Sequence, residues 1–399
     1  MKILVSAYAC EPDKGSEPEV GLQVALAAAK HHEVWVLTRD NNMDALRGMF
    51  SDHPLRDRIT FRPLDLPGMP LRAKRLGTAG LQWYYDRWQR QALEVGRDLD
   101  RRIGFDLVHH ATFATYWARA GLADLGKPLV LGPVGGAVEL PASFWIWLGL
   151  RGVTEEAQRR VMRRLMASRR VVRRTIREAA IVLAQNPEMA ARIKSLRTGP
   201  VVVVPNATGV VAPQPGMPAL ARGKNVVYAG RLVPWKAAPL AVEAMAYVAH
   251  PDARLLVFGD GPDRARVAST LRERGLADRV ELRGQVARKD LLQAIASAGV
   301  LVHPALHEEA GLVVAEALAM NTPVVALRRG GPAELISRFR ESSGETVEIG
   351  SPDVTARRMG AAIDRFLNGP SPPIEARRPS PTFEEAMLAA YDDAVALTG

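Results

Sequence analysis

One beat, heard twice, constrains this chain more than any other feature. In the first half short β-branched runs alternate with helical patterns: KILVSAYA, GLQVALAAAK, HEVWVLTR, then ITFRPLDL, DLVHHAT, KPLVLGPV, AAIVLAQN and VVVVP. Alternation of this kind builds a parallel sheet covered by helices, and nearly continuous apolar runs mark strands buried on both faces. Periodicity fails from Pro205 to Arg222, where prolines and glycines gather in PNATGVVAPQPGMPALAR. The beat then resumes with KNVVYAG, PLAVEAMAYV, RLLVFGDGP, DRARVASTLRERG, RVELRG, KDLLQAIASA, GVLVHPA, AGLVVAEALAM and TPVVAL. A proline-rich stretch and an amphipathic segment, FEEAMLAAYDDAVAL, close the chain. The expected fold class is α/β, with a first domain over 1–205, a linker over 206–222, a second domain over 223–380 and a last helix over 381–399. At roughly 150 residues per domain, 399 residues agree with two. Two such domains leave a cleft where the carboxyl ends of both sheets can face one ligand.

Composition removes several classes. Apolar residues at 47% and charged residues at 24% are ordinary globular values. A single cysteine, Cys10, cannot form an intramolecular disulfide, which points to a reducing compartment, the cytoplasm. The apolar start MKILVSAYAC runs straight into EPDKGSEPEV and reads as a buried strand rather than a signal peptide. No window reaches the 18 or so apolar residues of a spanning helix, FWIWLGL at 144–150 included. Dinucleotide and phosphate-loop glycine signatures, clustered Cys/His spacings and the G-x-S-x-G elbow are all missing. Asp98 and Asp100 form a D-x-D within a charged helical stretch, where a solvated face is the expected role. The expectation is an enzyme with no metal and no other cofactor.

Three stretches carry chemistry. In GRLVPWK, Arg231 and Lys236 follow a strand, where two cations can grip a diphosphate, although a solvated surface pair fits equally well. In HEEAGLVVAEALAM, Glu308 sits in a loop and Glu316 on the following helix. That separation of about 12 Å along a helix axis would put a carboxylate at each end of a sugar nucleotide. Between them the amides of Ala310, Gly311 and Leu312 lie at a helix start, where free N–H groups favour phosphate oxygens. By itself this pair could be two unrelated glutamates. In the first domain ACEPDKGSEPEVG opens a helix, so Ser16 serves either as its cap or, with Gly15 and Glu17, as a ligand contact.

Taken together, these stretches resemble the retaining family 4 glycosyltransferases of the GT-B fold, whose pattern is G-R-L-x-x-x-K followed by E-x7-E, E-A and a strand of the P-V-V type. Here they stand as GRLVPWK, Glu308 to Glu316 with Ala317, and NTPVVAL, with Pro205-Asn206 before the linker and GDGP from Gly259. The resemblance implies two Rossmann-like domains facing each other across a cleft, with a C-terminal helix crossing back to the first. It implies a nucleoside-diphosphate sugar as donor and a hydroxyl acceptor. Arg231 and Lys236 would neutralise the diphosphate, Glu308 hold sugar hydroxyls and Glu316 the ribose, with Gly230 and Gly259 lining the donor site. A histidine at the end of DLVHHAT would touch the donor sugar. Because successive strand residues face opposite ways, His110 is favoured and His109 is left as a core histidine. Gly135 and Gly136 in GPVGGAVE form a second glycine loop on the acceptor side. Two departures stand out: Glu309-Ala310-Gly311 where the family has G-F-G, and Asn321-Thr322 where a glycine precedes P-V.

Net charge is +10, and from Arg151 to Glu178 ten arginines face three glutamates. A helix over 159–177 would gather Arg160, Arg163, Arg164, Arg170, Arg174 and Arg177 on one side and Val161, Leu165, Val172 and Ile176 on the other. With FWIWLGL upstream, this resembles an in-plane anchor for an anionic membrane surface, the competing role being a domain helix with a solvated basic face. Nucleic acid is not expected as a partner. The acceptor would then be lipid-linked and the enzyme peripheral on the inner face of the cytoplasmic membrane. Alternatives are a soluble small-molecule glycosyltransferase, an inverting transferase or epimerase on the same fold, and a docking scaffold without catalysis.

Overall fold

A computed structural model describes residues 1–398 apart from 13, 15, 67–76, 114, 206–221, 340–342 and 370–380. The chain divides into two compact units. The first comprises Met1–Ala137, Val161–Gly209 and Pro381–Gly399, and the second Val138–Arg160 and Val210–Ser380.

The first unit holds a seven-stranded parallel sheet: β1 (Lys2–Ser6), β2 (Glu33–Thr38), β3 (Ile59–Pro63), β4 (Leu107–His110), β5 (Leu129–Val134), β6 (Ile181–Ala184) and β7 (Val201–Val203). Their order is β3-β2-β1-β4-β5-β6-β7, so the winding reverses between β1 and β4. Helices α1 (Ser16–Ala29), α2 (Met43–Phe50), α3 (Gly77–Ile103), α4 (Gly149–Ala167), α5 (Arg170–Glu178) and α6 (Pro187–Lys194) follow the strands, α4 running in from the second unit. Ile3, Val5, Leu107 and Val130 bury one face with α1, and Leu4, Val108 and Leu131 bury the other with Tyr84, Tyr85 and Trp88 of α3.

The second unit repeats the plan with β8 (Asn225–Ala229), β9 (Arg254–Phe258), β10 (Val280–Gly284), β11 (Val300–His303), β12 (Val324–Leu327) and β13 (Gly344–Val347). Their order, β10-β9-β8-β11-β12-β13, is parallel throughout and reverses between β8 and β11. Its helices are α7 (Ala238–Met245), α8 (Arg264–Glu273), α9 (Arg288–Ala296), α10 (Leu312–Ala319), α11 (Gly330–Arg338) and α12 (Pro352–Asn368). Strand β13 escapes a reading of apolar runs because only Val347 of GETV is buried.

The last helix, α13 (Phe383–Ala396), belongs to the first unit. It starts at a capping box of Thr382 and Glu385 and buries Met387, Ala390, Tyr391 and Ala394 beside α1 and the sheet. A reciprocal cap and an apolar face of this kind give a short helix both a start and a reason to dock.

Two expectations are corrected. Segment 138–160, read from the sequence as part of the first domain, packs in the second unit, because Leu140, Phe144 and Leu148 enter the core built on α7 and β8. The basic stretch is not one helix: it breaks at Ser168-Arg169 between α4 and α5, and the break shifts the helical phase. Val172 and Ile176 are therefore buried while Val161 and Leu165 are each 58% exposed. The arginines separate as well. Arg163 is buried and donates to the Gly136 carbonyl, and Arg160 lies over Trp145 and near Glu139. Arg174 pairs with Asp124, whereas Arg164, Arg170 and Arg177 face solvent.

Candidate functional site

In an open α/β sheet, ligands bind beyond the carboxyl ends of the strands where the winding reverses. In the second unit that point lies between β8 and β11, and the loops leaving these neighbouring strands carry Arg231 with Lys236 and Glu308 respectively. Leu306 N–H donates to the Trp235 carbonyl at 2.9 Å, tying one loop to the other. The Tyr228 hydroxyl, buried beneath, donates to the Lys236 carbonyl at 3.5 Å.

Lys236 Nζ donates to Glu308 Oε2, and His303 Nε2 lies 3.4 Å from the same oxygen. Burial alone would raise the Glu308 carboxyl, but the Lys236 ammonium and then His303 outweigh it and hold the group well below the usual carboxylate range. Arg231 is exposed, and its guanidinium makes no ion pair among the described residues. The loops beyond the carboxyl ends of β8 and β11 thus offer an ionised carboxylate, its paired ammonium and a guanidinium with no ion pair among the described residues.

The loop after Glu308 is fixed from below. Gly330, at φ 61°, opens α11, and a Cβ there would stand 2.1 Å from the Glu308 carbonyl oxygen. Only glycine tolerates both that backbone and that approach. Gly331 N–H donates to the same carbonyl at 3.2 Å. Sequence reasoning passed over this pair, whose signal is the glycine doublet that follows the TPVVAL strand after two arginines. Gly311, also left-handed at φ 80°, ends the loop and caps α10, whose first-turn N–H groups begin at Leu312, after Ala310. Gly230 and Gly259 sit at the exits of β8 and β9, where Gly230 N–H donates to the Phe258 carbonyl at 3.0 Å.

Glu316, only 8% exposed, accepts a hydrogen bond from Arg288 at 2.6 Å, a partner the sequence did not suggest. Glu309, where the family has glycine, accepts from Val138 N–H at 2.9 Å. Its neighbour His307 accepts from Arg159 at 2.5 Å, and Arg159 is gripped by both carboxylate oxygens of Glu156 at 2.8 Å. Burial, and then Arg159, push His307 down to about 3, so the imidazole is neutral. Glu309 therefore ties the Glu308 loop to 138–160, and His307 adds a second tie from before Glu308.

In the first unit the reversal lies between β1 and β4. Gly15 and the side chain of Ser16 lie outside the described residues, while Glu17 accepts from the Phe113 N–H beyond β4. Phe113 holds φ 55°, a rare conformation for a bulky residue, and stacks on Tyr85 with ring centroids 4.2 Å apart. His109 and His110 are 0% and 1% exposed and face opposite sides of the sheet. His109 Nε2 donates to the Gly132 carbonyl at 2.6 Å, so Nδ1 accepts from the Tyr391 hydroxyl at 2.6 Å and fastens α13. His110 Nε2 lies 3.1 Å from the Tyr85 hydroxyl. Burial pushes His109 to about 4 and, with His109 beside it, His110 to about 3. Gly135 and Gly136 are buried against Gln185 and Trp117. Asp98 pairs with Arg101 and Arg102, and Asp100 with Lys127, as a charged helix face does. No group of three or more His, Cys, Asp or Glu placed to hold a metal occurs among the described residues.

Comparison with known proteins identifies the family and the fold. Residues 217–378 match the family described as glycosyl transferases group 1. The chain is 30% identical over 332 residues to a 2-deoxystreptamine N-acetyl-D-glucosaminyltransferase of Streptomyces fradiae, covering 78% of this chain and 74% of the relative. Two further relatives, a 2-deoxystreptamine glucosyltransferase and an alpha-D-kanosaminyltransferase of Streptomyces kanamyceticus, are each 30% identical, but the match spans only 38% and 36% of their lengths. Among solved structures, sucrose-phosphate synthase of Thermosynechococcus elongatus superposes with a TM-score of 0.61 at 21% identity, over 99% of this chain and 97% of that one. Anabaena HepE in complex with UDP and glucose does so at 0.56 and 17% identity, over 100% and 97%. Both share the fold of two Rossmann-like units.

Proposed function

The chain belongs to the group 1 glycosyl transferases and is a glycosyltransferase, and from that premise we propose that it transfers a sugar, with retention and without a metal, from a nucleoside diphosphate to a hydroxyl. The observation that carries this reading is the Lys236–Glu308 ion pair between the loops that leave β8 and β11 at the reversal point of the second sheet, with Arg231 on the first of those loops. Arg231 and Lys236 hold the donor diphosphate, Glu308 the sugar hydroxyls, and Glu316 the ribose. The glycines at 230, 259 and 311, with the amides of Ala310 and Leu312, let phosphate oxygens reach the backbone. The bond from the anomeric carbon to the diphosphate breaks while the acceptor oxygen bonds on the same face, and the acceptor proton passes to a diphosphate oxygen. The protein's part is positioning and charge stabilisation, and no separate base is needed. Incubation with UDP-glucose, UDP-N-acetylglucosamine and GDP-mannose in EDTA tests it: donor turnover with retained anomeric configuration is expected, and turnover only with added metal, or with inversion, contradicts it.

For the acceptor we favour a lipid-linked hydroxyl at the inner membrane face, with the contact surface revised from the sequence reading. Ile146 and Leu150 are 94% and 89% exposed, and α4 also turns Val161 and Leu165 outward beside Arg164. Apolar side chains of this kind enter the lipid boundary while arginines meet anionic head groups. No described helix is long and apolar enough to cross a membrane. Sedimentation with phosphatidylglycerol vesicles at low salt should carry the protein down, and Leu150→Asp with Leu165→Asp should release it. A second reading is favoured by the relatives named for 2-deoxystreptamine: the acceptor is a soluble aminocyclitol. Absence of vesicle binding together with glycosylation of 2-deoxystreptamine would decide for it.

A further inference from the structure

We propose that His303 is a positioning residue that aims the Glu308 carboxylate at the donor sugar, an inference that rests on the role assigned to Glu308 above. His303 ends β11 and is 4% exposed, five residues before the carboxylate it faces. Its Nε2 is buried and lies 3.4 Å from Glu308 Oε2, short of a well-aligned hydrogen bond and with no other partner among the described residues. Lys236 Nζ converges on that same oxygen. Two donors therefore meet at Oε2, while Oε1 accepts no hydrogen bond among the described residues. A carboxylate held by one oxygen and open at the other presents its free lone pairs in one direction, which is what chelation of a sugar hydroxyl requires.

Lys236 alone cannot give this arrangement once a donor binds. An ammonium is a flexible point charge on a four-carbon stem, and the proposed diphosphate draws it away from Glu308. The imidazole is rigid, rooted in a central strand and unable to follow the phosphate. It keeps the carboxylate oriented while Lys236 changes partner. Burial keeps the ring neutral despite the carboxylate beside it, and the tautomer the inference requires has its one proton on Nε2, the nitrogen that faces Oε2. A histidine filling the core has no need of a polar neighbour, whereas this one points its only buried unpartnered nitrogen at the site.

Three variants in the full chain test the inference: His303→Leu, His303→Gln and Glu308→Gln, assayed for hydrolysis of UDP-glucose, UDP-N-acetylglucosamine and GDP-mannose, with melting curves for each. His303→Leu should lower kcat about tenfold to a hundredfold with KM changed by less than about threefold, the range expected for losing one hydrogen bond to a charged group. His303→Gln places an N–H at a similar reach and should recover most of that loss. Nitrogen-15 histidine spectra of the wild type should place the His303 proton on Nε2. If His303→Leu melts as the wild type does and keeps kcat within about twofold, the inference fails. It fails equally if Gln and Leu lose activity in proportion to lost stability, or if the proton sits on Nδ1. Should Glu308→Gln remain active, the assignment of Glu308 itself falls, and this inference with it. An inactive Glu308→Gln beside a fully active His303→Leu overturns the inference alone.

Discussion

Glu308→Gln is expected to reduce sugar transfer by about a hundredfold or more with the fold intact, and Lys236→Met to lose as much activity and stability besides. The difference follows from who is left behind. Glutamine keeps the size of Glu308 and can still accept from Lys236, whose ammonium has partial access to water. Its removal subtracts charge stabilisation at the reacting sugar, a loss comparable to that of one oxyanion donor. Lys236→Met leaves a carboxylate in a site where burial alone would raise its pKa, with only His303 to meet it. Stripping one partner from a buried ion pair costs about 3 kcal/mol or more. The double variant Lys236→Met, Glu308→Gln removes the stranded charge and should recover stability to within about 1 kcal/mol of the wild type, without recovering activity. Denaturant melts and donor turnover on the four proteins give the coupling directly. Additive stability losses would show that the pair is not the buried ion pair described here.

Acidification should destabilise the protein well before its carboxylates titrate. His109, His110 and His307 are held neutral by burial, at about 4, 3 and 3, against about 6.5 in an unfolded chain. A depressed histidine leaves the unfolded chain binding more protons as pH drops below 6.5, so stability is full above that value and is lost as pH falls toward the native pKa. At pH 5 each costs about 2 kcal/mol, or about 4 kcal/mol for the two in the first unit. Since His109 fastens α13 through Tyr391, that helix should be released with the first unit. Glu308, also depressed, adds nothing until the pH nears 4.5, because only there does the unfolded carboxylate protonate. Urea midpoints at pH 7.5, 6 and 5 should fall steadily, and a midpoint unchanged to pH 5 would contradict the neutral histidines.

Much of the fold was legible because both sheets are parallel, and their central strands, buried on both faces, read as unbroken runs such as IVLA and VLVH. A half-buried edge strand like GETV sends no such signal. Helical phase was harder to read. A wheel drawn through 159–177 assumes one axis, and two non-helical residues at 168–169 sufficed to put Val161 and Val172 on different surfaces. Segment 138–160 misled for a related reason: apolar residues in FWIWLGL announce burial but not which core receives them. Lys236 and Glu308 could be found because GRLVPWK and the Glu308–Glu316 stretch together resemble the family pattern, which neither does alone. Arg288 and His303 could not, since an arginine opening a helix and a histidine ending a strand look the same whether or not a carboxylate lies against them.

Donor binding is the central claim, and a thermal-shift panel of UDP, GDP, ADP and their common sugar conjugates, with and without magnesium, measures it most directly. One nucleotide series should raise the melting temperature without magnesium, by an amount matching about 2.7 kcal/mol at a hundred times its dissociation constant. Lys236→Met should abolish that shift. An unmoved melting temperature with every nucleotide, or a shift that appears only with magnesium and survives in Lys236→Met, would contradict a metal-independent donor site built on Lys236 and Glu308.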